Sequence, residues 1–233
     1  MKTNHSLKVL LLVAAGAFFS NPANAQRHDF ANYQCYAKQN AELGKPAKGE
    51  KRVVFLGNSI TEGWVNIRPE FFREHGYIGR GIGGQTSYQF LLRFRQDVID
   101  LQPKLVVINY GTNDVAENTG KYDEDQTFGN VVSMVELARA NKIKVILCST
   151  LPARNFLWRP EIKDAMQKIR SLNKRVEAYA KANKIPYVDY FTAMLAEDGM
   201  GMKQEYTPET VHPNAEGYKV MEALIVPAIE KAL

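Results

Sequence analysis

The chain has 233 residues, 45% hydrophobic and 24% charged, which is enough for one globular domain with a substantial core and too little for a comfortable second one. Its formal charge of +5 falls to +3 without residues 1–25, which carry two lysines and no acid. The remaining Lys and Arg are interleaved with acids, as in Lys163-Asp164 and Arg175-Val176-Glu177, so the clustered basic patch of a nucleic-acid binder is missing.

Residues 1–25 read as a secretory leader: Lys2 and Lys8 precede or flank an apolar stretch, and Ala23-Asn24-Ala25 places small residues at a cleavage site. The stretch is shorter than the roughly 18 residues of a membrane span, so stable insertion is not expected and the protein reads as exported, periplasmic or secreted. Residues 26–50 form a lead-in with Tyr33, Tyr36 and Leu43 that closes on Lys45-Pro46-Ala47-Lys48-Gly49, a linker composition. Residues 51–233 make the folded domain.

Within that domain, apolar β-branched runs at 52–56, 104–109, 144–148 and 185–190, with a weaker one at 77–82, predict strands. Helical spacing marks 87–101, 128–141, 162–183 and 215–232. Continuous apolar strands alternating with helices predict a three-layer α/β sandwich, a mostly parallel sheet with helices on both faces. Functional residues of such sheets lie just beyond the carboxyl ends of the strands. Cys148 falls in the run Val145-Ile146-Leu147 and reads as a core residue, which leaves a bridge to Cys35 the weaker reading.

Four short blocks sit at those strand ends or before the last helix. Gly57-Asn58-Ser59-Ile60-Thr61 ends the first strand, Gly81-Ile82-Gly83-Gly84 the second and Gly111-Thr112-Asn113-Asp114 the third, while Glu209-Thr210-Val211-His212-Pro213-Asn214 precedes the last helix. Taken singly, the serine could be a helix cap, the glycines a tight turn and the Asn-Asp pair a loop stabiliser. Together and in this order they resemble the SGNH/GDSL hydrolase superfamily over nearly the whole of the chain past the leader. The resemblance implies that fold, in its flavodoxin-like form, and an ester hydrolase with Ser59 as nucleophile and His212 as base. It also implies oxyanion donors from the Ser59 amide, the Gly84 amide and the Asn113 side chain.

Chemistry supports these roles independently. A serine hydroxyl is a poor nucleophile unless a neutral imidazole takes its proton. Of the four histidines, His5 lies in the leader, His28 near the mature start and His75 in the polar stretch Arg73-Glu74-His75-Gly76; only His212 sits in a turn after the strands. Asp114 is read as a loop-stabilising residue.

The chain departs from the family pattern twice. Glu209 stands where the family has Asp three residues before the histidine; it keeps the charge that orients the imidazole and is expected to complete the triad. Asn58 replaces the Asp of the name-giving motif and is expected to support the turn rather than take part in the chemistry.

Gly79-Arg80-Gly81-Ile82-Gly83-Gly84 also satisfies a dinucleotide-binding pattern, but it follows the second strand, and the nearby acids Asp97 and Asp100 lie in a helical stretch. No phosphate loop, His-Glu-x-x-His or Cys-x-x-Cys is present, so neither cofactor nor metal is expected. The resemblance implies short-acyl ester hydrolysis, and export favours O-acetyl groups on carbohydrates as the small-molecule or glycan ester substrate. Trp64 and Trp158 could line a sugar cleft, with core packing an equal reading for Trp64. The alternatives are a lipase or lysophospholipase and a decayed carbohydrate-binding protein on the same fold.

Overall fold

The computed structural model describes residues 29–233; the expected leader, His5 and His28 lie outside them. Five parallel strands, β1 (Val53–Gly57), β2 (Tyr77–Gly81), β3 (Leu105–Ile108), β4 (Lys144–Cys148) and β5 (Tyr187–Val188), stand in the order β2-β1-β3-β4-β5. Register pairs Val53 with Tyr77 on one side and with Leu105 on the other. The order reverses at β1, so a crevice opens beyond the carboxyl ends of the strands on either side of that reversal.

Alternation along the strands divides the core in two. Val54, Leu56, Val106, Ile108, Val145 and Leu147 face α4 (Ser87–Asp97), α6 (Glu124–Ala140) and α7 (Ala165–Ala182). Val53, Phe55, Leu105, Val107, Ile146 and Cys148 face α2 (Ser59–Ile67), α3 (Pro69–His75) and α9 (Ala215–Ala232). This is the three-layer sandwich that the apolar runs imply. Among the described residues no helix is long and apolar enough to cross a membrane.

The last strand is shorter than its apolar run. Pro186 has no N–H to offer a ladder, and Asp189 turns the chain out of the sheet by accepting from Thr192 N at 3.0 Å to cap α8 (Tyr190–Met194). The lead-in carries a short helix, α1 (Ala37–Leu43), bound to the domain by Tyr36 and Asn40: the Tyr36 hydroxyl donates to Gly81 O, and Asn40 Nδ2 donates to Asp97 Oδ1 at 2.7 Å. Both cysteines are free, and Cys148 is buried.

A smaller apolar cluster lies among the loops: Val115, Phe156, Ile162, Ile169, Phe191 and Val211. It joins the short helix α5 (Thr112–Val115) to the segment that precedes α9.

Candidate active site

β1 delivers the chain into α2 with no slack. Asn58 caps the helix, its Oδ1 accepting from Ile60 N at 3.0 Å, so Ser59 occupies the first helical turn, where backbone N–H groups are unpaired. This is the supporting role expected of Asn58, and it uses an acceptor oxygen that Asn shares with Asp. β2 runs directly beneath that turn. A Cβ on Gly81 would lie 2.2 Å from Glu62 N and 2.7 Å from Asn58 O, both backbone atoms, so glycine is required there.

Ser59 Oγ lies 2.8 Å from His212 Nε2. His212 Nδ1 is hydrogen-bonded to Glu209 Oε1, which also accepts from His212 N at 3.0 Å. Glu209 Oε2 accepts from Thr210 N at 2.9 Å. Burial pushes the Glu209 carboxyl up, but the bonds from Thr210 N, the imidazole and His212 N outweigh it and hold the carboxyl below its ordinary range. The loop is fixed by Thr207, whose hydroxyl donates to His212 O at 2.8 Å, and by Val211 in the loop cluster.

The glycine turn after β2 and the segment that begins at Thr112 are laced together. Asn113 Nδ2 donates to Gln85 O at 2.9 Å, Asn118 Nδ2 to Gly84 O at 3.0 Å, and Ser87 N to both Asp114 oxygens at 3.1 Å. The Ser87 hydroxyl also bonds Asp114, which is the loop-stabilising role expected of that residue. Burial pushes the Asp114 carboxyl up, and the Ser87 hydroxyl and amide offset this only in part. Gly84 has φ +75°, a left-handed conformation suited to glycine, and a Cβ on Gly83 would sit 3.9 Å from Ser59 Cβ. The glycine turn thus lies against the serine.

Beneath the turn is Arg93, fully buried. It donates to Gly57 O at 2.8 Å, Arg80 O at 3.0 Å, Asp97 Oδ2 at 2.9 Å and Gln85 Oε1 at 2.6 Å. One guanidinium therefore ties the ends of β1 and β2 to the glycine turn.

The two tryptophans part company. Trp64 is 0% exposed, stacked between Phe71 and Tyr218 with centroids at 5.4 and 5.5 Å, and its indole donates to Glu222 Oε1 at 3.2 Å. The cleft reading of Trp64 is corrected: no part of its surface is open to a ligand. Trp158 is 42% exposed, its ring 6.3 Å from that of His212, and its indole donates to Asn118 Oδ1 at 2.9 Å.

Ser59, His212 and Glu209 are therefore in contact, the segments of Gly84 and Asn113 are latched together, Trp158 stands at the rim and Trp64 in the core. Sequence reasoning gave no role to Asn118, Arg93, Gln85 or Thr207, whose contacts with the blocks exist only in the folded chain. Among the described residues no group of three or more His, Cys, Asp or Glu side chains is placed to hold a metal ion.

Residues 55–220 match the model of the GDSL-like Lipase/Acylhydrolase family. The chain belongs to that family. A crystal structure of a GDSL-like lipase from Bacteroides thetaiotaomicron VPI-5482 is 67% identical to this chain, with 88% of this chain and 100% of that one covered and a TM-score of 0.87. An uncharacterized lipoprotein of Bacillus subtilis (strain 168), YqeF, is 34% identical over 126 residues, covering 47% of this chain and 52% of that protein. An acetylxylan esterase of Xylanibacter ruminicola is 23% identical over 220 residues, covering 79% of this chain and 44% of the esterase. The chain spans about half the length of these curated relatives.

Proposed function

We propose that this chain is a serine esterase that removes short acyl groups, acetyl above all, from carbohydrates. The observation that carries the reading is the unbroken line from Ser59 Oγ through the His212 ring to the Glu209 carboxylate. In this reading His212 Nε2 takes the Ser59 proton as Oγ attacks the ester carbonyl, and Glu209 holds Nδ1 protonated and stabilises the imidazolium. The oxyanion is met by the Ser59 and Gly84 amides and the Asn113 side chain. Asn113 suits that task because Gln85 O takes one N–H of its amide and leaves the other free. The alcohol leaves with the proton from His212, and water, activated by the same imidazole, releases the acid.

Acetyl and carbohydrate selectivity is supported by the acetylxylan esterase among the relatives and by the leader pattern, which with the lipoprotein relative favours export to the periplasm or beyond. The exposed neighbours Leu157, 65% exposed, and Trp158 favour a second reading, a lipase or lysophospholipase that seats longer chains on this rim.

The test is hydrolysis of p-nitrophenyl acetate, butyrate and octanoate, and of acetylated xylan, by wild type and Ser59→Ala. Turnover lost in the variant and falling with chain length supports the acetylesterase; a preference for octanoate selects the lipase. Wild type equal to Ser59→Ala on every substrate leaves a binding protein on the same fold.

A further inference from the structure

One carboxylate beside the nucleophile has no assigned task. Glu62 lies one helical turn after Ser59 on the same face of α2, and its Oε2 would be 3.0 Å from a Cβ on Gly83, a residue already packed against Ser59. Its side chain has no hydrogen-bond or ion-pair partner among the described residues, whereas Glu209 and Asp114 are both engaged. A negative charge here favours the start of α2 but opposes an oxyanion forming on the neighbouring carbonyl.

Glu62 also heads a groove of about 510 Å³ between α1, α2 and the edge strand β2. Asn66, the next polar residue on that face of α2, lies along it, facing Tyr36 and Gln39 of the lead-in, with Tyr77 and Arg80 of β2 as its floor. Arg80 is only 5% exposed, stacks its guanidinium on the Tyr36 ring at 4.7 Å, and leaves Nη2 without a partner among the described residues. The groove thus holds one unused carboxylate, two amides and two tyrosine rings above a buried guanidinium whose Nε and Nη1 are spent on Asn40 and Gly79 O.

That combination selects against charge and for hydroxyl. An anionic ligand is repelled by Glu62 and a cationic one by the charge of the buried Arg80, whereas a sugar donates a hydroxyl to the carboxylate, accepts from an amide and lays its apolar face on a tyrosine. We propose that this groove seats the neutral carbohydrate chain that carries the ester, with Glu62 accepting from the hydroxyls nearest the scissile bond. The proposal rests on the esterase reading for its purpose but is tested by binding alone.

Cys35 lines the same groove half-buried while Cys148 is fully buried, so a single thiol reports occupancy. The experiment measures the rate of Cys35 alkylation by iodoacetamide in the full chain, with the modified site read by mass spectrometry. Xylotetraose or cellotetraose is expected to slow the reaction, with tetragalacturonate leaving it unchanged. Glu62→Gln and, separately, the exposed-site variant Asn66→Ala are expected to raise the half-protecting concentration, by about tenfold for Glu62, the weight of a hydrogen bond to a charged group. Alkylation of Cys148 as well identifies a variant that failed to fold, and the other variant then decides. No protection by either neutral sugar, equal protection by the acidic one, or protection undiminished in the folded variants overturns the proposal. Failure of the esterase reading is distinct, because it appears as no Ser59-dependent ester hydrolysis while the thiol remains protected.

Discussion

The Asn113 side-chain amide donates to the Gln85 carbonyl at 2.9 Å, so the loop after β3 grips the loop after β2 through the same group that faces the reacting carbonyl in the proposed mechanism. Asn113→Ala removes a donor and the grip together. Its kcat on p-nitrophenyl acetate should fall by about 10² to 10³, with KM changed little. A fall in kcat below tenfold would remove Asn113 from the oxyanion site.

Glu209→Gln retains size and loses charge. The imidazole then faces an amide that can present either end to Nδ1, and the imidazolium is no longer stabilised, so kcat should drop between about 10² and 10⁴. Glu209→Asp, one methylene shorter, should fall between wild type and Gln. Steady-state kinetics on the purified variants decide this, and full turnover in the Gln variant excludes Glu209 from the triad.

The same carboxylate should leave a mark on acid stability. Its folded pKa is lowered, so its contribution is present above the ordinary glutamate value of about 4.3 and is lost as pH falls through the lower folded value. Urea midpoints of wild type and Glu209→Gln should therefore differ by a constant amount from neutral pH down to the carboxylate range, then converge as pH falls further. A gap that widens with acid contradicts this sign.

Trp64 and Trp158 offer opposite outcomes. Trp64→Ala empties a wholly buried, doubly stacked site and should cost about 3–5 kcal/mol in chemical denaturation. Trp158→Ala, at the exposed rim, should leave the denaturation midpoint nearly unchanged and alter KM instead.

Asn118 links Trp158 to Gly84, accepting from the indole and donating to the glycine carbonyl. Asn118→Ala frees both, so kcat should fall roughly five- to tenfold. The emission of Trp158 should change as its indole loses its partner, against the constant background of buried Trp64. Unchanged emission with unchanged kcat shows that the link is idle.

β1, β3 and β4 were legible because their inner residues are buried on both faces and leave unbroken apolar runs, and the large helices because their faces repeat, while the edge strand β2, with Gly79 and Arg80, left only a weak run. β5 was overread because 185–190 is apolar except at Asp189, while the features that end the strand, the missing N–H of Pro186 and the cap on Asp189, are single-residue effects. The four blocks were legible because each puts its special residues at a strand end. The core position of Trp64 had a signal: with Ile60 and Thr61 it falls on the buried face of α2, four residues after Ile60. Arg93 had none, since a basic residue in an amphipathic helix ordinarily reads as solvated, and only the folded chain reveals the four acceptors around it.

Arg93 also ties the site's turns to the dry interior. Its four acceptors come from the exit of β1, from β2, from the glycine turn and from α4 itself, so none can be surrendered while the guanidinium is sealed from water without leaving a charged donor bare. Opening the turns that carry Ser59 and Gly84 while the interior stays dry therefore leaves a buried charge short of partners, at a cost of about 3–5 kcal/mol.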